Sequence, residues 1–205
     1  MQDIVNKREI KKEWDELYGH FPLESLPWHS ERPARALVDA IKKGGIKKCN
    51  ALDICCGAGT NSLYLAVKGF RVTGLDISGE ALRLAKKRFE NSKISPGLVN
   101  GDAANLPFKD KTFGFVFDRG CFHHIPMAER PQYVEEAHRV LKPGGNFLLI
   151  CFSDKNPPRE NTFSKKAIAD YFSPHFEIIR IKSSVFRELR KHPRFFYVAF
   201  MEPHP

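Results

Sequence analysis

Residues 51–60 read ALDICCGAGT, and this stretch decides the fold. Its first half is apolar apart from Asp53, which is the pattern of a short buried strand. Gly57 and Gly59 follow, and glycines let the backbone turn tightly and let a ligand approach the amides. The helix predicted from Thr60 offers unpaired N–H groups to ligand oxygen atoms. The stretch therefore predicts the first turn of a nucleotide-binding sheet, with a simple tight turn as the alternative.

On both sides of this stretch, short apolar runs alternate with segments of helical periodicity. We predict helices over 3–20, 34–43, 60–68, 79–91, 128–141 and 164–172, and strands over 51–55, 70–75, 98–100, 113–118, 146–152, 176–185 and 194–201. The last two strands must run antiparallel, because their connection is too short for a parallel return. The prediction is one α/β domain over 1–205: a Rossmann-like, doubly wound, mostly parallel seven-stranded sheet with a C-terminal antiparallel hairpin strand and helices on both faces.

Residues 1–44 precede the nucleotide-binding core, which we place at 45–205. This N-terminal segment cannot be a crossover between strands, so it must cover another part of the domain. It is rich in aromatic residues, namely Trp14, Tyr18, Phe21 and Trp28. We interpret it as a helical lid over the ligand site; the alternative is that the rings only pack the first helix against the sheet.

Composition narrows the class of protein. The net charge of +9 is spread along the chain, and its densest run, Arg187, Arg190, Lys191 and Arg194, is a solvated loop or, less favoured, a phosphate-binding patch. Five cysteines without a C-x-x-C pair fit neither a disulfide framework nor a structural zinc site. The N-terminus lacks the apolar core of a signal peptide, and no apolar run is long enough to span a bilayer. We expect a cytoplasmic protein without a membrane partner.

Carboxylates end three successive predicted strands. A dinucleotide fingerprint requires glycine where Ser62 stands, so that fingerprint fails. Asp53 suits a cationic amino-acid moiety better than a pyrophosphate, and Asp76 can accept hydrogen bonds from both hydroxyls of a ribose. Asp102 supplies the third acid at the same edge of the sheet. The set describes a ligand made of adenosine and an amino acid.

The motifs LDICCGAGT, GLDIS, NGDAANLPF, FVFDRGCFHHI and LKPGG stand in the order and at the spacing of one family. Over residues 45–153 the chain resembles the class I methyltransferases that bind S-adenosylmethionine, and the stretch from Trp28 to Pro33 resembles their thiopurine and tellurite-resistance branch. The resemblance implies S-adenosyl-L-methionine as the methyl donor and S-adenosyl-L-homocysteine as the product. One position departs from the family, because Cys55 stands where a small Gly or Ala is usual.

The resemblance also implies roles for single residues. Asp53 would lie near the donor's ammonium group, Asp76 at the ribose and Asp102 at the adenine amino group. Asp118 and Arg119 would line the methyl-transfer site. The complete predicted donor-binding set is Trp28, Asp53, Cys55, Gly57, Gly59, Asp76, Ile77, Asp102, Ala103, Asp118 and Arg119.

The segment after the fourth predicted strand is the expected acceptor side. His123 and His124 titrate near neutrality and are candidate general bases, although packing under the next helix is an equal alternative. Cys55, Cys56 and Cys121 are expected near the same point, but their spacing does not predict a metal site.

The leading functional prediction is methyl transfer to a small molecule, by a monomer or a homodimer. The alternatives are an RNA or protein methyltransferase that uses the basic charge, with a nucleic-acid partner less favoured, and a non-catalytic adenosylmethionine-binding module or NAD(P) oxidoreductase on a similar sheet.

Overall fold

The computed structural model describes residues 6–94, 96–157, 161–186 and 194–205. The connection 187–193, which carries Arg187, Arg190 and Lys191, lies outside the described residues. The predicted start of the first helix, at 3–5, also lies outside them.

Seven strands form a single sheet. They are β1 Asn50–Ile54, β2 Arg71–Asp76, β3 Gly97–Asn100, β4 Phe113–Arg119, β5 Leu141–Phe152, β6 Phe176–Phe186 and β7 Arg194–Pro203. Their order across the sheet is β3-β2-β1-β4-β5-β7-β6. Strands β1 to β5 pair in parallel, whereas β7 pairs antiparallel with both β5 and β6. The predicted sheet and its C-terminal antiparallel pair are confirmed.

In the residues that the structure describes, six α-helices accompany the strands. They are α1 Lys7–His20, α2 Arg35–Lys42, α3 Thr60–Val67, α4 Gly79–Asn91, α5 Arg130–Val140 and α6 Lys165–Phe172. At the starts of α1, α4 and α6 a side chain satisfies backbone N–H groups that have no partner inside the helix; at α6, Ser164 accepts from Ala167. Asn6 accepts from Arg8 and Glu9 at the start of α1, and Ser78 accepts from Ala81 at the start of α4.

One predicted turn is wrong. Residues 142–145 (KPGG) were expected to separate a helix from a strand, but β5 begins at Leu141 and runs through them. Leu141 pairs with Phe113 of β4, and the register shifts before the next pair, Phe115 with Asn146. The extra residues form an irregularity within the strand, in which Gly144 adopts a φ of +71° that glycine tolerates best.

Apolar side chains alternate between the two faces of the sheet, and each face packs against helices. On β4, Val116 belongs to the core cluster that includes Tyr133 of α5, whereas Phe117 belongs to the cluster that includes Leu65 of α3. This alternation confirms a sheet covered on both faces. Within the described part of the chain, no helix has the length and hydrophobicity needed to cross a membrane.

Candidate active site

The candidate site lies at the carboxyl ends of β1, β2 and β4. The strand order reverses between β1 and β4, and open α/β sheets bind ligands at such a switch point. The structure brings Asp53 of β1, Asp76 of β2 and Asp118 of β4 to this edge, and all three side chains are buried.

Asp76 ties the glycine turn to the loop after β2. Its Oδ2 accepts from the Gly57 N–H at 2.8 Å and its Oδ1 accepts from the Ser78 N–H at 2.9 Å. Gly57 and Gly59 have φ values of +54° and +76°, the left-handed region that favours glycine. Burial raises the pKa of Asp76 to about 6, although both backbone bonds oppose the rise.

Asp53 stands beside this turn with one protein donor. The Ser62 hydroxyl donates to its Oδ2 at 2.5 Å. Burial raises the pKa of Asp53 to about 7, the charges of Asp118 and Asp76 add to the rise, and Arg119 opposes it. In the sequence, Ser62 is noticeable only as the absence of a glycine, whereas in the structure its hydroxyl contacts Asp53. A buried carboxylate with a raised pKa gains from a neighbouring cation.

Asp118 differs from the other two acids because protein donors engage both of its oxygens. Oδ1 accepts from the Cys121 N–H at 2.7 Å, and Oδ2 accepts from the Phe122 N–H at 2.9 Å and the Tyr133 hydroxyl at 2.5 Å. Burial raises its pKa to about 6 against these bonds. These contacts hold the loop after β4 and engage both oxygens of the carboxylate.

Asp102 lies after β3, next to the buried Ala103. Its Oδ1 accepts from the Ala104 N–H at 2.9 Å, and Lys7 of α1 lies 3.0 Å from its Oδ2. The same lysine contacts Glu129. Ile77 is partly buried, and its carbonyl accepts from the Asn100 side chain at 2.8 Å. Helix α1 is thus anchored at the third strand end.

The N-terminal segment lies over the glycine turn. The Trp28 indole N–H donates to the Tyr18 hydroxyl at 3.0 Å, and a Cβ built on Gly57 would lie 2.7 Å from that hydroxyl. Trp14 meets Trp28 edge to face at 5.2 Å. Arg119 donates to the Trp28 carbonyl at 3.0 Å. Phe21, also expected in this group, is instead 55% exposed.

A further set of contacts, made by Arg88, holds the N-terminal segment over the glycine turn. The Arg88 guanidinium of α4 makes two bonds to Glu31, at 2.7 and 3.0 Å, and its Nε donates to the Ala58 carbonyl at 2.8 Å. One side chain thus bridges the N-terminal segment and the glycine turn.

The two candidate bases have different surroundings. The His123 ring is buried and stacks on Phe152 at 3.9 Å, and its Nδ1 accepts from the Phe152 N–H at 3.3 Å. Burial lowers the pKa of His123 well below its usual value, so the ring is neutral and its proton sits on Nε2. His124 is exposed and meets the Trp14 ring edge to face at 5.2 Å.

Two cysteines are joined where thiols were expected. A disulfide bond links Cys55, directly after β1, to Cys121, after β4, with 5.5 Å between their Cα atoms. The pairing corrects the expectation drawn from the odd cysteine count, and its reason is that β1 and β4 are adjacent. Cys55 has a φ of +53°, in the left-handed region that glycine adopts more readily. Cys56 is buried and free.

Comparisons with known proteins agree with this geometry. Residues 51–145 match a family model described as a methyltransferase domain. An uncharacterized methyltransferase of Synechocystis sp. is 39% identical over 136 residues, which cover 66% of this chain and 54% of the relative. A demethylmenaquinone methyltransferase of Staphylococcus aureus is 34% identical over 156 residues, which cover 73% of this chain and 59% of the relative. The chain spans about half the length of the curated relatives it matches.

A solved structure extends the agreement to the fold. A SAM-dependent methyltransferase from Methanosarcina mazei superposes with a TM-score of 0.69 at 25% identity, over 79% of this chain and 96% of that one. These proteins do not identify the thiopurine and tellurite-resistance branch, which stays a prediction. The match over residues 51–145 shows a methyltransferase domain, and the sheet order, the glycine turn with its strand-end acids and these relatives together support a class I, S-adenosylmethionine-dependent methyltransferase.

Proposed function

We propose that this chain transfers the methyl group of S-adenosyl-L-methionine to a small-molecule acceptor and releases S-adenosyl-L-homocysteine. The observation that carries the proposal is the Asp76 carboxylate, which joins the Gly57 amide to the loop after β2 at the switch point of the sheet. A relative named for demethylmenaquinone, a small molecule, supports the choice of acceptor class.

The residues at the switch point fit this donor. Asp53 is a buried carboxylate, and pairing with the donor's ammonium group would offset the burial that raises its pKa. Asp76 would accept from the ribose hydroxyls with the lone pairs that Gly57 and Ser78 leave. The Tyr18 hydroxyl lies directly against Gly57 and is bonded by the Trp28 indole, and these two rings would cover a bound donor as a lid. Asp102 and Ala103 are proposed at the adenine.

When bound, the donor supplies an activated methyl group on a sulfonium, which a nucleophile displaces in line. The protein's main contribution is then to bring donor and acceptor together in the right orientation and to exclude water. Arg119, which holds the Trp28 carbonyl, would couple closure of the lid to formation of the acceptor side. His124 is retained as a candidate base, and for His123 the geometry favours donation from Nε2. The cytoplasmic location and the monomeric or dimeric state stay predictions.

Donor affinity should rise with pH. Because Asp53 has a raised pKa of about 7 in the free protein, binding a cationic ammonium group expels its proton below that pH. We expect adenosylhomocysteine to bind about five- to tenfold more tightly at pH 7.5 than at pH 6, before the ligand's own amine begins to lose its charge. Calorimetry in two buffers of different ionisation enthalpy should measure the proton release near pH 6.5.

Asp53→Asn should bind more weakly and lose most of this pH dependence. Asp170→Asn, which removes an exposed carboxylate on α6, should keep it. A wild-type affinity that does not change between pH 6 and pH 7.5 would show that Asp53 does not face the ammonium group.

Methyl transfer itself is tested with methyl-labelled donor and three acceptor preparations: a small-molecule extract, total RNA and total protein. We expect label in small molecules, abolished by excess adenosylhomocysteine and absent with Asp76→Ala. Label found instead in RNA, with uptake that falls steeply as salt rises, would favour the nucleic-acid alternative suggested by the net charge of +9.

A further inference from the structure

We infer that the methyl acceptor is a flat aromatic compound with an ionisable hydroxyl group, bound where the ends of β4, β5 and β6 meet the start of β7; the inference rests on the proposed function. The donor binds at the ends of β1 and β2, so the acceptor must lie on the other side of the switch point. Strand β6 is parallel to β5, so its end lies at the same edge as the ends of β4 and β5.

Three phenylalanines form an aromatic wall at this edge: Phe152, Phe186 and Phe196. Phe152 ends β5 and Phe186 ends β6, while Phe196 lies near the start of β7. The Phe196 ring lies 5.1 Å from the Phe152 ring and 4.7 Å from the Phe186 ring. All three side chains are partly exposed, so the wall presents aromatic surface that a planar ring can contact.

A guanidinium stands at each end of the aromatic wall. Arg119 lies 5.7 Å from the centroid of Phe186, and Arg194 lies 5.9 Å from the centroid of Phe152. Arg119 is the last residue of β4 and is close enough to Asp53 to lower its pKa. The positive charge therefore extends from the donor crevice along the wall, which favours an acceptor that carries negative charge.

His123 stacks on the same wall without acting as a base there. Its Nδ1 is used by the Phe152 N–H, so its Nε2 carries a proton and can only donate. Nε2 lies near the Gly120 backbone at the end of β4, 3.5 Å from where a Cβ would be. A hydrogen-bond donor on a wall that also carries two guanidinium groups can stabilise an oxyanion.

The chemistry follows from this environment. Two neighbouring cations lower the pKa of a bound hydroxyl group, so its proton passes to solvent before the reaction. The oxyanion then attacks the methyl carbon: an O–CH₃ bond forms, the S–CH₃ bond breaks, and its electron pair stays on sulfur. A phenolate and a sulfonium thus give two neutral products, an ether and a thioether.

The test is a titration of the protein loaded with adenosylhomocysteine, using 4-nitrophenol as the probe and nitrobenzene as the matched ligand without a hydroxyl group. The visible absorbance of the phenolate reports its ionisation, and calorimetry reports affinity. We expect 4-nitrophenol to bind about tenfold more tightly than nitrobenzene and to ionise about one pH unit lower when bound. Methylation is followed in parallel with labelled donor.

Arg194→Gln and Phe152→Leu should each weaken 4-nitrophenol binding by about fivefold or more while leaving adenosylhomocysteine binding unchanged. Arg180→Gln, at an exposed position of β6, and Phe200→Leu, on β7 but outside the wall, are the controls and should bind both ligands normally. Equal binding of nitrobenzene, no binding of 4-nitrophenol, or no effect of the two variants would overturn the inference. If the protein binds 4-nitrophenol but does not bind adenosylhomocysteine, the aromatic wall is supported as a ligand site and the proposed methyl donor is wrong.

Discussion

Asp76→Ala weakens binding of adenosylhomocysteine by about 2–4 kcal/mol, which is roughly 30- to 1000-fold in the dissociation constant. The substitution would remove the two charge-assisted bonds that we propose between Asp76 and the ribose. It also removes the acceptor that holds the Gly57 and Ser78 amides, so the turn loses its fixed position. Calorimetry on the purified variant measures the effect.

Asp170→Ala is the matched control, because it removes an exposed carboxylate whose surface ion pair with Lys166 contributes little. Its dissociation constant should equal that of the wild type. Circular dichroism must show that Asp76→Ala is folded before its affinity is read. A folded Asp76→Ala protein with wild-type affinity would place the ribose elsewhere.

The second large effect concerns stability. Gly59→Ala should lower the free energy of unfolding by about 2–4 kcal/mol, measured by urea denaturation. A Cβ at Gly59 would lie 2.7 Å from the Phe89 ring and 3.0 Å from the Ala85 methyl group, both on α4, and its φ of +76° disfavours any side chain. The overlap forces α4 away from the glycine turn.

Gly144→Ala separates the two causes. Gly144 has a similar φ of +71°, but a Cβ there would meet nothing within 4 Å. This variant should lose only the conformational part, about 1–2 kcal/mol. Equal losses for the two variants would mean that close packing against α4 adds nothing at Gly59.

The sheet could be predicted from sequence because its signals are local. Apolar runs of strand length, a glycine turn after the first of them and a final connection too short for a crossover together determine the order and direction of the strands. The turn predicted at the KPGG segment was wrong because a non-local pairing decides the structure there. Its composition is typical of a turn, whereas Leu141 pairs with Phe113 of another strand, and that pairing outweighs the local preference.

The acids of the candidate donor site could also be predicted from local sequence, since each ends a predicted strand. The different hydrogen-bond partners of these acids could not be predicted in this way. Asp53 keeps one side-chain donor while Asp118 is satisfied by Tyr133 and two amides, and only the packing of α5 under β4 decides this. The contact of Ser62 with Asp53 could have been predicted from the sequence. Ser62 places a hydroxyl group in the first turn of α3, at the position where a dinucleotide-binding fold needs glycine.

The disulfide and the aromatic wall depend on strands far apart in the sequence. Cys55 and Cys121 are 66 residues apart, and Phe152 meets Phe196 only because β7 inserts between β5 and β6. Counting cysteines or aromatic residues along the chain cannot reveal such pairs. Once the strand order is assumed, however, residues at the ends of neighbouring strands become candidates for contact.

The central claim is that the switch point of this sheet binds the methyl donor of the family. One calorimetric titration at pH 7 with adenosylhomocysteine, repeated with NADH, tests it most directly. We expect one equivalent of adenosylhomocysteine bound at micromolar affinity, displaceable by adenosylmethionine, and no heat from NADH. Binding of NADH together with no binding of adenosylhomocysteine would contradict it.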